Sequence, residues 1–228
     1  MSVFVRERGP SGPPPMDEAI VREGWPFAAI AGGLAVLGWA AAGPWAGVPL
    51  LALTAFTLNF FRNPHRDVPA DPGVVVAPAD GVVCEVADEA SPRLLDGPAR
   101  RLSIFMNVLD VHVNRSPIAG VVREVVYNPG RFLAANVPKA SLENEQNALV
   151  LESAAGRRVL LVQIAGLVAR RIVNYARPGD RLARGQRFGL IRFGSRVDVY
   201  LPDDAEVAVA LGQRVVGGET VIARLSGV

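Results

Sequence analysis

The pattern of apolar and polar positions divides the chain into three stretches. Residues 1–24 are polar and rich in proline and glycine, as in Gly9-Pro10-Ser11-Gly12-Pro13-Pro14-Pro15. Such a stretch buries too little apolar surface to offset the entropy of ordering, which predicts a flexible tail. From Gly24 to Phe61 no charged residue occurs. That run is too long for one ordinary core helix, and Gly43-Pro44 interrupts it, so two short apolar helices are predicted, over 26–41 and 47–61. From about residue 72 the pattern changes to short β-type runs separated by Gly, Pro and Asp turns: 74–76, 82–86, 102–106, 121–127, 148–152, 159–164, 168–173, 188–193, 197–201 and 220–225. The expected fold class is α+β, with a mainly β domain over 62–228 behind an N-terminal apolar helical hairpin over 25–61.

Charge refines the reading of the apolar run. Arginines flank it on both sides, Arg6, Arg8 and Arg22 before and Arg62 and Arg66 after. A hairpin puts both flanks on one side of a bilayer, and basic flanks prefer the cytoplasm. The expectation is attachment to the cytoplasmic face of the cell (inner) membrane, through a shallow or a spanning hairpin. A buried helical pair in a soluble protein is the alternative. A cleaved signal peptide fits poorly, because the run is too long and follows an extended polar tail.

Composition narrows the chemistry. A formal net charge of +2 does not point to nucleic acid. A single cysteine, Cys84, excludes an internal disulfide framework, and with only His65 and His112 available no multi-histidine metal site is expected. Lys139 is the only lysine. Near the C-terminus, Gly179-Asp180-Arg181-Leu182 with Gly185-Gln186 repeats as Gly212-Gln213-Arg214-Val215 with Gly218-Glu219. Biotinyl and lipoyl carrier domains use similar turns, but their swinging arm needs a lysine, and none lies between residues 140 and 228. The repeat therefore reads as architectural.

Three segments offer chemistry. Ala77-Pro78-Ala79-Asp80-Gly81 links two β runs; Asp80 is either a tight-turn residue or a carboxylate that orients a histidine. In Asp110-Val111-His112-Val113-Asn114-Arg115, alternation puts Asp110, His112 and Asn114 on one face of an extended segment, with an imidazole suited to acid–base work. Phe193-Gly194-Ser195-Arg196 joins two apolar β runs. A Gly-Ser pair alone is usually a turn, but here glycine's conformational freedom brings the Ser195 hydroxyl within reach of the Gly194 carbonyl, the geometry of an N-to-O acyl shift. No G-x-S-x-G elbow surrounds Ser195.

With these segments in place, the chain resembles the phosphatidylserine decarboxylase proenzymes, in particular their short bacterial and archaeal form. The resemblance runs from about Phe60 to the C-terminus. It rests on Phe60-Phe61-Arg62-Asn63-Pro64-His65-Arg66, Pro78-Ala79-Asp80-Gly81, Asp110 to Arg115, Asn144-Glu145-Gln146-Asn147 and Phe193-Gly194-Ser195, in that order. It implies a pyruvoyl enzyme. Ser195 attacks the preceding carbonyl, the ester eliminates, and hydrolysis leaves chains 1–194 and 195–228, the second capped by a pyruvoyl cofactor derived from Ser195. Asp80 and His112 match the family's charge-relay partners for this cleavage. The pyruvoyl carbonyl then takes the amine of phosphatidylserine as an imine, carbon dioxide leaves, and phosphatidylethanolamine is released. Lysine scarcity fits, since pyridoxal phosphate is held as a lysine imine and a pyruvoyl group needs none.

The implied partners are a phospholipid substrate, the membrane and the two chains of one precursor, with self-association left open and no nucleic acid. Arg196 and Arg115 are candidates for the substrate's carboxylate or phosphate; a solvated strand-edge role is the alternative for Arg196. Phe60 and Phe61 are expected at the acyl boundary, Arg62 and Arg66 at anionic head groups, and His65 at the interface. Three rivals remain: an ether-lipid decarboxylase, a serine hydrolase using Ser195, His112 and Asp80 on an external ester, and a non-catalytic membrane-tethered β-module.

Overall fold

The structure, a computed structural model, describes residues 18–89, 92, 94–130, 144–166, 171–192 and 195–227. They form two compact units. One comprises the helical residues up to His65 together with Leu109–Val111; the other comprises Arg66–Val108 and the chain from His112.

In the helical unit, a 3-10 turn at Arg22–Gly24 leads into α1, Trp25–Ala42. Gly43, at φ 64° and ψ −150°, breaks the helix in a conformation that suits glycine. α2 then runs Pro44–Phe60, three residues earlier than the sequence suggests. Proline is well suited to the first helical position, where no N–H is required, so Gly43-Pro44 is both the stop and the start. Residues 22–42 make an apolar helix of 21 residues, long enough by length and composition to cross a membrane. The two helices leave Ile30, Leu37 and Trp45 largely exposed, Trp45 at 88%.

The base of the hairpin departs from expectation. Phe60 and Phe61 do not face outward; both are buried, with Phe61 stacked on Phe27 at 5.6 Å and edge-on to Phe60 at 5.0 Å. Nor does the polar tail extend to residue 24. Val21 is buried and donates its N–H to Phe61 O at 3.0 Å, and Asn63 N–H bonds Ala19 O at 2.7 Å. Residues 1–17 of the expected tail lie outside the described residues. Arg62 caps α2 by donating to Asn59 O and reaches Leu109 O at 2.8 Å.

The second unit is antiparallel β throughout. Its strands are β1 (Val74–Val76), β2 (Gly81–Glu89), β3 (Ala99–Met106), β4 (Val113–Arg115), β5 (Gly120–Asn128), β6 (Gln146–Glu152), β7 (Arg158–Ala165), β8 (Ile172–Asn174), β9 (Arg181–Leu182), β10 (Arg187–Ile191), β11 (Ser195–Pro202), β12 (Glu206–Val207), β13 (Arg214–Val215) and β14 (Val221–Arg224). An eight-stranded sheet has the order β13-β2-β3-β11-β7-β6-β5-β9; β1-β14-β12 and β4-β10-β8 form two smaller sheets. All ten expected runs contribute strands. The four strands outside those runs, β4, β9, β12 and β13, have two or three residues each, too short to show a hydrophobic period. Leu102, Ile104, Leu149, Leu161, Val197 and Val199 alternate onto the inner face of the large sheet and form its core. The α+β, mainly β class stands.

The C-terminal repeat proves to belong to a larger internal duplication. Its two short strands, β9 and β13, cap opposite edges of the eight-stranded sheet. β9 pairs with β5 and β13 with β2 in matching register, Gly120 opposite Leu182 and Gly81 opposite Val215. The paired strands themselves repeat as Gly81-Val82-Val83-Cys84-Glu85-Val86 and Gly120-Val121-Val122-Arg123-Glu124-Val125, and each ladder shifts register at the same place. The turns preceding them exchange hydrogen bonds reciprocally, Arg115 N–H to Pro78 O at 2.8 Å and Val76 N–H to Pro117 O at 3.0 Å. In this alignment Asp80 corresponds to Ala119.

Candidate active site

Ser195 opens β11 and is buried. It is held in register on both sides, opposite Met106 of β3 and Ala165 of β7. Alternation along β11 turns its side chain to the inner face with Val197 and Val199. There the core ends in polar groups instead of more aliphatic ones. The Met106 thioether lies between two donors, Ser195 Oγ at 3.9 Å and Asn114 Nδ2 at 3.8 Å. Asn114 Oδ1 accepts from Gln163 Nε2 at 2.7 Å, and Gln163 Oε1 accepts from Asn147 Nδ2 at 2.9 Å. All three amides are buried, so each needs these bonds to offset its desolvation. The crossing is tight: a Cβ on Gly189 of β10 would meet Val173 O at 2.3 Å and Gln163 Nε2 at 3.1 Å.

The other partner strand is held by the segment around residue 145. Asn144 Nδ2 donates to Ala165 O at 2.7 Å, and Ala165 N–H bonds Glu145 O at 3.0 Å. Asn144-Glu145-Gln146-Asn147 therefore fixes the strand beside Ser195 and ends the amide relay. Phe193 and Gly194, including the carbonyl expected to be attacked, lie outside the described residues, as does Lys139.

His112 is buried directly before β4. Its carbonyl accepts from Ile191 N–H at 3.3 Å, which lays its strand along the segment that leads into Ser195. Asp110, expected on one face of an extended segment with His112 and Asn114, belongs to the helical unit with Leu109 and Val111, and β4 begins only at Val113.

Asp80 follows β1 in the turn bound by Arg115 N–H. Both its oxygens lie 2.9 Å from Arg66 Nη2, and Oδ1 also accepts Gly217 N–H at 2.8 Å. Arg66 is thus committed to Asp80, with Glu219 3.8 Å away, and is not the exposed head-group contact expected of it. Gly81, next to Asp80, has φ 154°, and a Cβ there would lie 2.2 Å from Phe105 O. The Asp-Gly turn therefore sets a carboxylate beside a backbone crossing that excludes a side chain.

Arg115 points toward this cluster. It is buried and donates to Gly185 O at 3.1 Å. Burial, reinforced by the charge of Arg66 and partly offset by Asp80, pulls its guanidinium down to about 10, so it stays charged at neutral pH.

Arg196 is not the solvated strand-edge residue that was one expectation for it. It is 2% exposed, and its Nε and Nη2 are bonded within the protein. Nε bonds Asp198 Oδ1 at 2.5 Å; Nη2 bonds Asp198 Oδ2 at 3.1 Å, Glu85 Oε2 at 2.8 Å and Ser103 Oγ at 2.7 Å. Alternation puts it on the sheet face opposite the Ser195 side chain. Burial pushes the Asp198 carboxyl up against the pull of Arg196, whereas for Arg196 burial lowers the value and is outweighed by the Asp198 bond together with the charges of Asp198, Cys84 and Glu85.

Gln163 and Met106 carry no mark of their own in the sequence reading, and Asn147 enters it only as the last residue of the Asn144–Asn147 segment. Gln163 did leave one signal, as the polar residue among inward positions Val159, Leu161 and Ala165.

Fold and site together define a mainly β protein with a buried serine at a strand start, backed by an amide relay. The family model for phosphatidylserine decarboxylase matches residues 53–223. Among similar proteins are three phosphatidylserine decarboxylase proenzymes. That of Nitrosomonas europaea is 52% identical over 90% of this chain and 94% of its own length. That of Cupriavidus pinatubonensis is 51% identical over 92% and 96%. That of Burkholderia ambifaria is 50% identical over 90% and 96%. The chain belongs to the phosphatidylserine decarboxylase family.

Proposed function

We propose that the chain is a proenzyme that cuts itself between Gly194 and Ser195 and then decarboxylates phosphatidylserine to phosphatidylethanolamine at a membrane surface. The observation that carries this reading is the setting of Ser195: a buried hydroxyl at the head of a strand pinned on both sides. There the hydroxyl adjoins, through the chain itself, the peptide carbonyl that an N-to-O acyl shift requires it to attack. The relatives' common description as proenzymes supports the same reading.

In this scheme Ser195 Oγ attacks the Gly194 carbonyl and the peptide becomes an ester. Loss of the Cα proton of residue 195 expels the Gly194 carboxylate and leaves a dehydroalanine; one water then converts it to a pyruvoyl group and ammonia. The strand-head position suits this group, because β3 and β7 hold residue 195 from both sides. Once formed, the pyruvoyl group supplies a carbonyl for the substrate amine and an adjacent amide carbonyl that accepts electron density as carbon dioxide leaves.

His112 takes the hydroxyl proton during cleavage and returns a proton to the substrate carbon after decarboxylation. Asp80 is its charge partner, held by Arg66 and Gly217. The internal duplication supports a chemical role for Asp80: the equivalent turn is built with Ala119, so the turn itself needs no carboxylate. The exposed apolar surfaces of α1 and α2, with Arg22 and Arg62 at the same end of the hairpin, support membrane attachment from the cytoplasmic side.

Intact-mass analysis tests the cleavage. Wild-type protein is expected as two chains, the smaller one 195–228 with a terminal carbonyl that borohydride reduces and hydroxylamine traps. Ser195→Ala should remain one full-length chain. Wild-type protein that stays full-length under prolonged native incubation overturns the reading. An uncut chain that hydrolyses external esters identifies a serine hydrolase instead.

A further inference from the structure

We infer that Arg196 is a positioning residue that holds residue 195 in place once the chain has been cut, an inference that rests on the self-processing reading above. In the uncut chain, residue 195 is tethered from upstream by its peptide bond. Cleavage removes that tether. The nitrogen of residue 195 also departs as ammonia, so the strand loses an N–H donor at its first position. A new chain end without a tether frays unless something ties it down.

Arg196 is the first residue the chemistry leaves intact, and its side chain is tied across three strands. Its guanidinium bonds Asp198 on β11 itself, Ser103 on neighbouring β3 and Glu85 on β2 beyond it. Arg101 closes the network, donating to Glu85 Oε1 at 2.9 Å and lying 3.7 Å from Asp198 Oδ2. These contacts lie on the face away from the Ser195 side chain, so they restrain the backbone without occupying the site. A buried ion pair is often no more stabilising than apolar residues of the same volume. A purely structural function does not explain why it stands one residue from the junction.

The clamp is tested in the full chain with Arg196→Met, Arg196→Lys and Ser103→Ala. Three quantities are read: terminal carbonyl per chain by hydroxylamine trapping, amide hydrogen exchange at residues 197–199, and turnover per carbonyl with detergent-dispersed phosphatidylserine. Losing charge-assisted bonds in Arg196→Met is expected to speed exchange at 197–199 by about tenfold or more, with exchange across β5 and β6 unchanged. Turnover per carbonyl should fall by a similar factor, in kcat rather than KM, and Arg196→Lys should recover part of it. Ser103→Ala removes one acceptor and should shift both quantities the same way, less far; it decides the matter if Arg196→Met does not fold or does not cleave. Processed variants with wild-type exchange and wild-type turnover per carbonyl overturn the clamp. Wild-type protein that forms no carbonyl overturns the self-processing reading beneath it, a result read before any variant is compared.

Discussion

At the scale of single residues, burial decides what each polar group does. His112 is the proposed base, and replacing it with alanine should slow conversion of the precursor by about 10²–10⁴-fold, the usual contribution of a positioned acid–base group. Pulse-chase gels of the appearing small chain measure this directly. Asp80→Asn keeps the shape of the turn but removes the charge that Arg66 and the proposed imidazole share, so conversion should slow while Gly217 N–H still finds an oxygen. Tyr200 offers an independent check on the outer face of the sheet. Burial, with Asp198 adding to it, pushes its phenol up to about 12. A phenol whose value rises on folding adds stability in full below its ordinary value near 10 and loses it as pH climbs toward 12. Absorbance at 295 nm should therefore show a late tyrosine step that is missing in Tyr200→Phe.

At the scale of elements, the amide relay ties β6 and β7 to β4 near Ser195. Gln163→Leu leaves Asn114 and Asn147 each without the partner seen here. Each orphaned buried amide costs about 1–3 kcal/mol, so a clear drop in urea midpoint is expected, with little change in the slope. Much of this level was legible beforehand. Ten short β runs, the Gly43-Pro44 break and the Asp-Gly turn could all be read from local pattern. The relay could not, because it joins residues 114, 147 and 163, and no period along the chain brings them together. The duplication was half visible: the Gly-x-Arg-φ turns announced themselves, but the matching Gly-Val-Val-x-Glu-Val strands emerged only once β9 and β13 were seen capping opposite edges.

At the scale of the whole molecule, the helical unit and the β unit make separate predictions. Trp25, Trp39 and Trp45 are the only tryptophans, and all three lie exposed on α1 and α2. Intrinsic emission therefore reports on the hairpin alone. Adding vesicles of phosphatidylglycerol and phosphatidylethanolamine should shift it to the blue, because indole emission follows the polarity around it. Emission that ignores vesicles would remove the membrane reading while leaving the β unit's chemistry untouched.

The sequence by itself determined the fold class, the helical break, the strands long enough to show alternation, and the residues that carry the family resemblance. These are local properties: a side-chain period, a turn residue or a short motif is complete within a few positions. Tertiary structure alone decided what those residues touch. It turned Phe60 and Phe61 inward, gave Arg66 to Asp80, and moved Asp110 out of the strand that His112 precedes. It also buried Arg196 among Asp198, Ser103 and Glu85, where a solvated strand-edge role was one expectation. The physical reason is the same in each case. A charge buried without a partner and an aromatic ring left in water are both costly, so each takes the partner that the fold brings from elsewhere along the chain.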